Sequence, residues 1–293
     1  MFGVFRFSSV FAAIFAASAT PMQAAEGGAH KLPLYPEGVF LGATNSMLMT
    51  WLATGLIVLF CKAASGKLEW APKGFTDFAE WLVETLYNFF GSLLGDHLIK
   101  KTFWFFGGTF MFILVNNWLG LIPGVGTVGW DKHYADGSHH YLPLLRGGNA
   151  DLNMTSAMSV VFMVVWVRWA VQENGLKGFL AHIFAPKAKF GGFMLLFMTA
   201  VFFLVGILEV VSIMIRPVAL SFRLFGNIYG GEQTLEALMH LVPRFLAWMP
   251  ALPFYFVEIL VGLIQALVFT LLAAIFLNLI CDHGDDHDEE HSH

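Results

Sequence analysis

Charge is scarce in this sequence: Asp, Glu, Lys and Arg supply only 13% of its 293 residues. A water-soluble globule of that size would lack the polar surface to cover itself. Cysteine is scarcer still. Cys61 and Cys281 form no CxxC or other ligand spacing, so neither a metal nor a redox centre is assigned to them. No Gly-rich phosphate-binding run ending in Gly-Lys-Ser or Gly-Lys-Thr occurs, which leaves nucleotide chemistry without a site here. No internal repeat is evident, which counts against an inverted-repeat secondary transporter. The formal charge of −5 is weak and comes largely from the last dozen residues, which argues against a nucleic-acid partner.

What the chain has in abundance is apolar surface: 57% hydrophobic residues, with 31 Phe and 9 Trp. A polytopic membrane protein is the class that fits, since aromatic rings fill lipid-facing surface and sit at both membrane interfaces. Residues 1–25 carry Arg6, an apolar run from Phe7 to Ala19 and then Pro21-Met22-Gln23-Ala24-Ala25. This reads as a secretory signal with a small-residue cleavage site, the competing reading being an uncleaved N-terminal anchor. Beyond it the apolar stretches are Val39 to Phe60, Phe103 to Ile122, Leu152 to Ala170, Phe193 to about Tyr229, and Leu246 to Ile280. Five membrane helices follow.

Threading these from an outside start leaves Lys62, Lys67, Lys73, Lys100, Lys101, Arg168, Lys177, Lys187 and Lys189 in the cytoplasm. Only Lys31, Lys132, Arg146 and Arg244 fall outside, as the positive-inside rule requires. Between the first two spans, Phe75 to Leu94 mixes Trp81, Leu82, Leu86 and Phe89 with Asp77, Glu80 and Glu84. That pattern is an amphipathic helix on the cytoplasmic surface, or one that docks a partner subunit. The loop from Gly124 to Asn149 is polar and outside, with His133, His139 and His140 solvated rather than metal-bound. The acidic, His-rich tail 282–293 reads as solvated and disordered.

Phe193 to Tyr229 is too long to stand upright. As one helix it measures about 55 Å at ~1.5 Å per residue, against a hydrocarbon core ~30 Å thick. Either it is strongly tilted or it breaks at Arg216-Pro217, where proline removes a backbone donor.

The informative residues are the ionisable ones inside the last two apolar groups: Glu209, Arg216, Arg223, Glu232 and Glu258, with polar Ser212, Asn227 and Gln265 among them. A charge at the centre of a membrane helix costs ~2.5–3.5 kcal/mol even on the mild translocon scale, so such residues serve a pathway, a partner or a structural ion pair. Glu209, Ser212, Arg216, Arg223 and Asn227 follow steps of 3, 4, 7 and 4, which places all five on one helical face. Glu232 lies nine residues after Arg223, half a turn away on a regular helix. Glu258 and Gln265 are seven apart and share a face of the last helix. Two polar routes emerge, one along the stripe and one joining Glu232 to the last helix.

A guanidinium keeps its proton at any physiological pH, so an arginine between two routes blocks a proton and favours the ionised form of any carboxylate brought beside it. Carboxyl groups partly stripped of water can exchange protons near neutral pH, which suits Glu232 and Glu258 as relays. A proton-coupled transporter would also need buried carboxylates and an arginine, but here they occupy one half of the chain only. A non-conducting scaffold would have no need of them.

The run Arg216-Pro-Val-Ala-Leu-Ser-Phe-Arg223-Leu-Phe-Gly-Asn227-Ile-Tyr-Gly-Gly-Glu232 resembles the signature of the F-type ATP synthase a subunit family. Asn117-Trp-Leu-Gly-Leu-Ile-Pro123 is similar to a second family motif, and Glu258 with Gln265 falls where the family places its second pair of channel residues. The resemblance covers most of the chain beyond Leu41. It implies an all-α polytopic membrane protein with about five membrane helices, the last two long and strongly tilted, plus the amphipathic surface helix, in a membrane domain over 26–281. It implies a non-catalytic, proton-conducting stator subunit of the bacterial inner membrane, with its mature N-terminus outside and its C-terminus in the cytoplasm. Arg223 would face the carboxylates of a rotating c-ring and block a direct leak. Glu232, Glu258, Asn227 and Gln265 would line the half-channel from outside, with Glu209, Ser212 and Arg216 toward the cytoplasmic exit. Glu258 stands where some relatives carry His, and Gly120 where some carry Asp, which leaves the order of the relay open. The implied partners are c-ring subunits, b-type peripheral stalk subunits, membrane lipid and the transported protons. No cofactor and no metal are implied.

Overall fold

The computed structural model describes residues 31–35, 38–64, 74–122, 125, 129–133, 139–184, 193–243, 246 and 248–281. The signal-like segment 1–25 and the tail 282–293 lie outside the described residues.

Strands β1 (Lys31–Tyr35) and β2 (Gly38–Thr44) pair antiparallel, with Tyr35 opposite Gly38 and Lys31 opposite Thr44. The first span was expected from Val39, yet the helix begins only at Asn45. A short apolar run such as Val39 to Leu41 suits a strand as well as a helix. The change occurs where polar side chains stop the strand and cap the helix: the Thr44 hydroxyl accepts the Met47 amide at 3.3 Å and Asn45 Oδ1 accepts the Ser46 amide at 3.0 Å. Helix α1 (Asn45–Ala64) then runs 20 residues, about 30 Å at ~1.5 Å per residue and enough to span.

Helix α2 (Phe75–Gly120) joins the amphipathic segment to the second span through a break at Gly95, whose φ of 73° suits glycine alone. Before the break Asp77, Glu80 and Glu84 are exposed while Ala79 and Phe90 are buried. After it Phe105, Phe106, Phe112 and Ile113 are buried in the bundle core. Within the polar loop a second hairpin forms, β3 (Gly129–His133) with β4 (His139–Pro143). The chain then dips into the bundle in a buried 3₁₀ turn at Gly148–Ala150. Helix α3 (Leu152–Phe184) follows, broken at Gly175 with φ 69°.

Helix α4 (Phe193–Leu241) is unbroken through Pro217. Of the two geometries the length allowed, the continuous one holds, and it runs twelve residues past Tyr229 to Leu241. At ~1.5 Å per residue its 49 residues measure about 74 Å, so it can lie in a ~30 Å hydrocarbon layer only at a steep incline. Helix α5 (Trp248–Cys281) closes the bundle. Five helices are long and apolar enough to cross a membrane, and the fold is that of an all-α polytopic membrane protein with two short hairpins beside it.

Helix α5 packs between α2 and α4, α3 packs on α4, and α1 packs on α2. Backbone carbonyls receive the polar groups that lipid could not satisfy: Trp166 Nε1 donates to Phe276 O at 3.0 Å and Asn174 Nδ2 to Ile280 O at 2.9 Å, tying α3 to α5. Lys101 and Glu173 add an ion pair at 2.8 Å between α2 and α3, with the lysine half exposed.

Candidate functional site

The polar residues of α4 sort into three groups along the helix. In the first, Arg216 Nη2 donates to Glu209 Oε1 at 3.2 Å, two turns back on the same face. The guanidinium also lies 4.6 Å from the centroid of the Phe276 ring and 6.0 Å from that of Trp166. A cation between two ring faces keeps its charge favourably placed where water is scarce. Ser212, Arg216 and Arg223 line one cavity of about 550 Å³, whose other walls are apolar side chains of α4 and α5. Three of the five residues of the stripe predicted from spacing therefore share one hollow, and Glu209 and Asn227 at its two ends do not line it.

Arg223 stands at the far end of this hollow. It is exposed, and it has no ion-pair partner among the described residues. Ser221 anchors the helix here, its hydroxyl 3.0 Å from Ser156 Oγ and 3.3 Å from Thr155 Oγ1 on α3. One turn on, Asn227 Nδ2 donates to Gln265 Oε1 at 2.7 Å, bridging α4 to α5. Gln265 Nε2 is buried without a partner.

The third group joins both carboxyls. Glu258 is only 6% exposed, and its carboxyl occupies the space that a side chain at Gly231 would need. Glu232 is the next residue along α4. Its Oε2 accepts from Arg146 Nε at 3.3 Å, and its Oε1 occupies the space a side chain at Gly147 would need. The structure brings Glu209 to Arg216, Asn227 to Gln265 and Glu232 to Arg146, with the Glu258 carboxyl against Gly231, the residue before Glu232. It keeps the Glu209 group and the Glu232 group apart, about 35 Å along α4 at ~1.5 Å per residue, with Arg223 between them.

Arg146 escaped the sequence reading, which counted it only as an outside charge. The signal available was its place just ahead of Gly147-Gly148-Asn149, immediately before the third span. Asn149 holds that turn in the bundle: its Nδ2 donates to Asn117 Oδ1 at 2.7 Å, and Asn117 Nδ2 donates to Gly262 O at 2.9 Å. The Asn117 motif is thus a support for the site.

Five apolar helices, with charges gathered along one inclined helix and its neighbour, define a polytopic membrane protein built around an intramembrane polar system. Residues 47–278 match the family model for the ATP synthase A chain, and the chain belongs to that family. It is 30% identical over 252 residues to ATP synthase subunit a of Geobacter sp. strain M21, covering 86% of this chain and 93% of the relative. It is 27% identical over 275 residues to ATP synthase subunit a of Chloroherpeton thalassium, covering 89% and 74%. With ATP synthase subunit a of Gloeobacter violaceus it shares 28% identity over 243 residues, covering 83% and 86%. Membership makes it a non-catalytic membrane component of a multi-subunit ATP synthase that takes part in proton transport.

Proposed function

We propose that this chain supplies two offset proton half-channels to the carboxylates of a c-ring, with Arg223 as the divider between them. The observation that carries the reading is Arg223 itself. An exposed guanidinium on an apolar helix, without a carboxylate partner among the described residues, is costly unless a partner outside the chain supplies the counter-charge. Passing ring carboxylates would do so one at a time. Because the guanidinium cannot release its proton, a proton reaching it has no path across and must ride the ring.

Glu232, Glu258, Asn227 and Gln265 line the inlet from outside, and the cavity bounded by Ser212 and Arg216, with Glu209 beyond, is the outlet to the cytoplasm. The hairpin β3–β4 then faces outward, in agreement with the lysine and arginine asymmetry. On this orientation residues 1–25 act as a cleaved signal, the mature N-terminus is outside and the C-terminus cytoplasmic, in a bacterial inner membrane. The exposed amphipathic half of α2 offers a surface for b-type stalk subunits. Each proton crossing ~100 mV releases ~2.3 kcal/mol to the rotation.

The test is ATP-driven proton pumping in vesicles carrying Arg223→Ala, with assembly checked by co-purification of the ring. Coupled pumping is expected to vanish while the ring still co-purifies. Unchanged pumping would overturn the divider role.

A further inference from the structure

Arg146 sits outside every membrane helix, yet its guanidinium reaches the carboxylate of Glu232 on α4, 86 residues away in sequence. Its side chain is only 14% exposed, and its guanidinium carbon lies 5.4 Å from the centroid of the Tyr229 ring, one turn before Glu232 on the same helix. The backbone beneath it has little freedom. Gly147 O accepts the Ala150 amide at 3.1 Å and Gly148 O accepts the Asp151 amide at 3.3 Å, closing the turn. A Cβ on Gly148 would stand 2.6 Å from Asn116 Oδ1 and 2.7 Å from Thr50 Oγ1, so α1 and α2 clamp the turn from two sides. Asn149 bonds it to Asn117, which in turn bonds α5.

The turn is therefore a fixed post, and Glu232 meets it at both oxygens: Oε2 accepts from Arg146, and Oε1 occupies the space a side chain at Gly147 would need. A glutamate has three rotatable bonds, and ordering a free one costs rotamer entropy. The mooring meets that cost in advance and holds the carboxyl against Gly147, while the Glu258 carboxyl lies against Gly231, the residue just before Glu232 on α4. Proton transfer between carboxyl groups depends on such held geometry, because a relay works over hydrogen-bond distances or through a single water.

We propose that Arg146 is a positioning residue of the proton inlet, holding the Glu232 carboxyl in register with Glu258. The inference rests on the half-channel reading above. It also assigns the hairpin-side turn a working part in conduction, because the arginine acts only if that turn stays seated on α1, α2 and α5.

A double-mutant cycle in membrane vesicles of the assembled complex, with the ring co-purifying, tests this. Glu232→Gln, Arg146→Gln, the double variant and Arg146→Lys are compared by ATP-driven proton pumping. Arg146→Gln is expected to lower the rate roughly tenfold, the scale on which outer-shell partners of a functional group act. In the Glu232→Gln background the same change should add little, since the residue it positions is gone. Arg146→Lys, which keeps the charge and loses the fork, should fall between the Gln variant and the unaltered chain. Unaltered pumping in Arg146→Gln, or effects of the two changes that multiply independently, would overturn the positioning role. Loss of the ring from Arg146→Gln shifts the decision to Arg146→Lys, where pumping no better than that of Glu232→Gln overturns it. Undiminished pumping in Glu232→Gln would instead sink the assignment of Glu232 to the inlet, a separate failure.

Discussion

A methyl group at position 231 has no room, because the Glu258 carboxyl already fills the space it would take. One residue earlier an added Cβ at Gly230 meets nothing within 4 Å. Both glycines lie inside α4, where Gly→Ala favours the helix by ~0.5–1 kcal/mol in the absence of clashes. The pair gives a controlled comparison. Gly230→Ala should leave coupled pumping intact and the chain marginally more resistant to heat. Gly231→Ala should displace Glu258 and depress pumping with the ring retained. Equal pumping by the two variants in the same vesicle assay would show that Glu258's location does not matter. At this scale the sequence disclosed those residues whose partners share a helical spacing, such as Glu209 with Arg216, and those quoted in the family run. It could not disclose Arg146, because an ion pair between a loop and a distant helix leaves no periodic trace.

Two of the long helices carry a glycine at positive φ near an end of their membrane segment: Gly95 in α2 at 73° and Gly175 in α3 at 69°. Gly95 turns the chain from the amphipathic half into the span, so that Phe90 before the break and Phe106 after it meet with ring centroids 5.8 Å apart and planes tilted by 31°. With ψ at 164° this is a backbone region that only glycine enters freely, and an L side chain there costs ~1–3 kcal/mol. No atom lies within 4 Å of a Cβ added there, so the whole penalty of Gly95→Ala is conformational. We expect a complex that assembles but loses its ring or unfolds at lower temperature in detergent, by an amount matching that strain. A midpoint unmoved within error would mean the bend relaxes freely. The composition of Phe75 to Leu94 foretold an amphipathic helix, and the length of the fourth apolar group required either a tilt or a break. Whether Pro217 interrupts α4 was not legible, since proline kinks some helices and is accommodated in others. Val39 to Thr44 was misassigned for a related reason: six residues do not fix a period, and pairing with Lys31–Tyr35 decides them.

Seen whole, the molecule covers its helices unevenly. Only 11% of the most apolar 18-residue stretch of α4 is buried in the bundle, against 61% for the corresponding stretch of α2. Leu204, Leu208, Ile215 and Phe222 are each more than half exposed, and Arg223 follows directly on the last of them. Lipid alone could solvate the apolar residues, because tails are as apolar as leucine. It could not solvate the arginine without distortion. The combination favours a partner surface that is apolar with a carboxylate at one depth, the description of a c-ring under the proposed function. The distinction can be drawn with single cysteines in a chain whose Cys61 and Cys281 are replaced by Ser. Cysteines at Ile215 and Phe222 should cross-link to cysteines placed beside the ring carboxylate. A cysteine at Leu59, equally exposed but on α1, which packs against α2, should not. Cross-linking only from Leu59 would place the ring on the other side of the bundle. Arg223 would then face lipid or another subunit, and the two groups of polar residues would lose their common point of exchange.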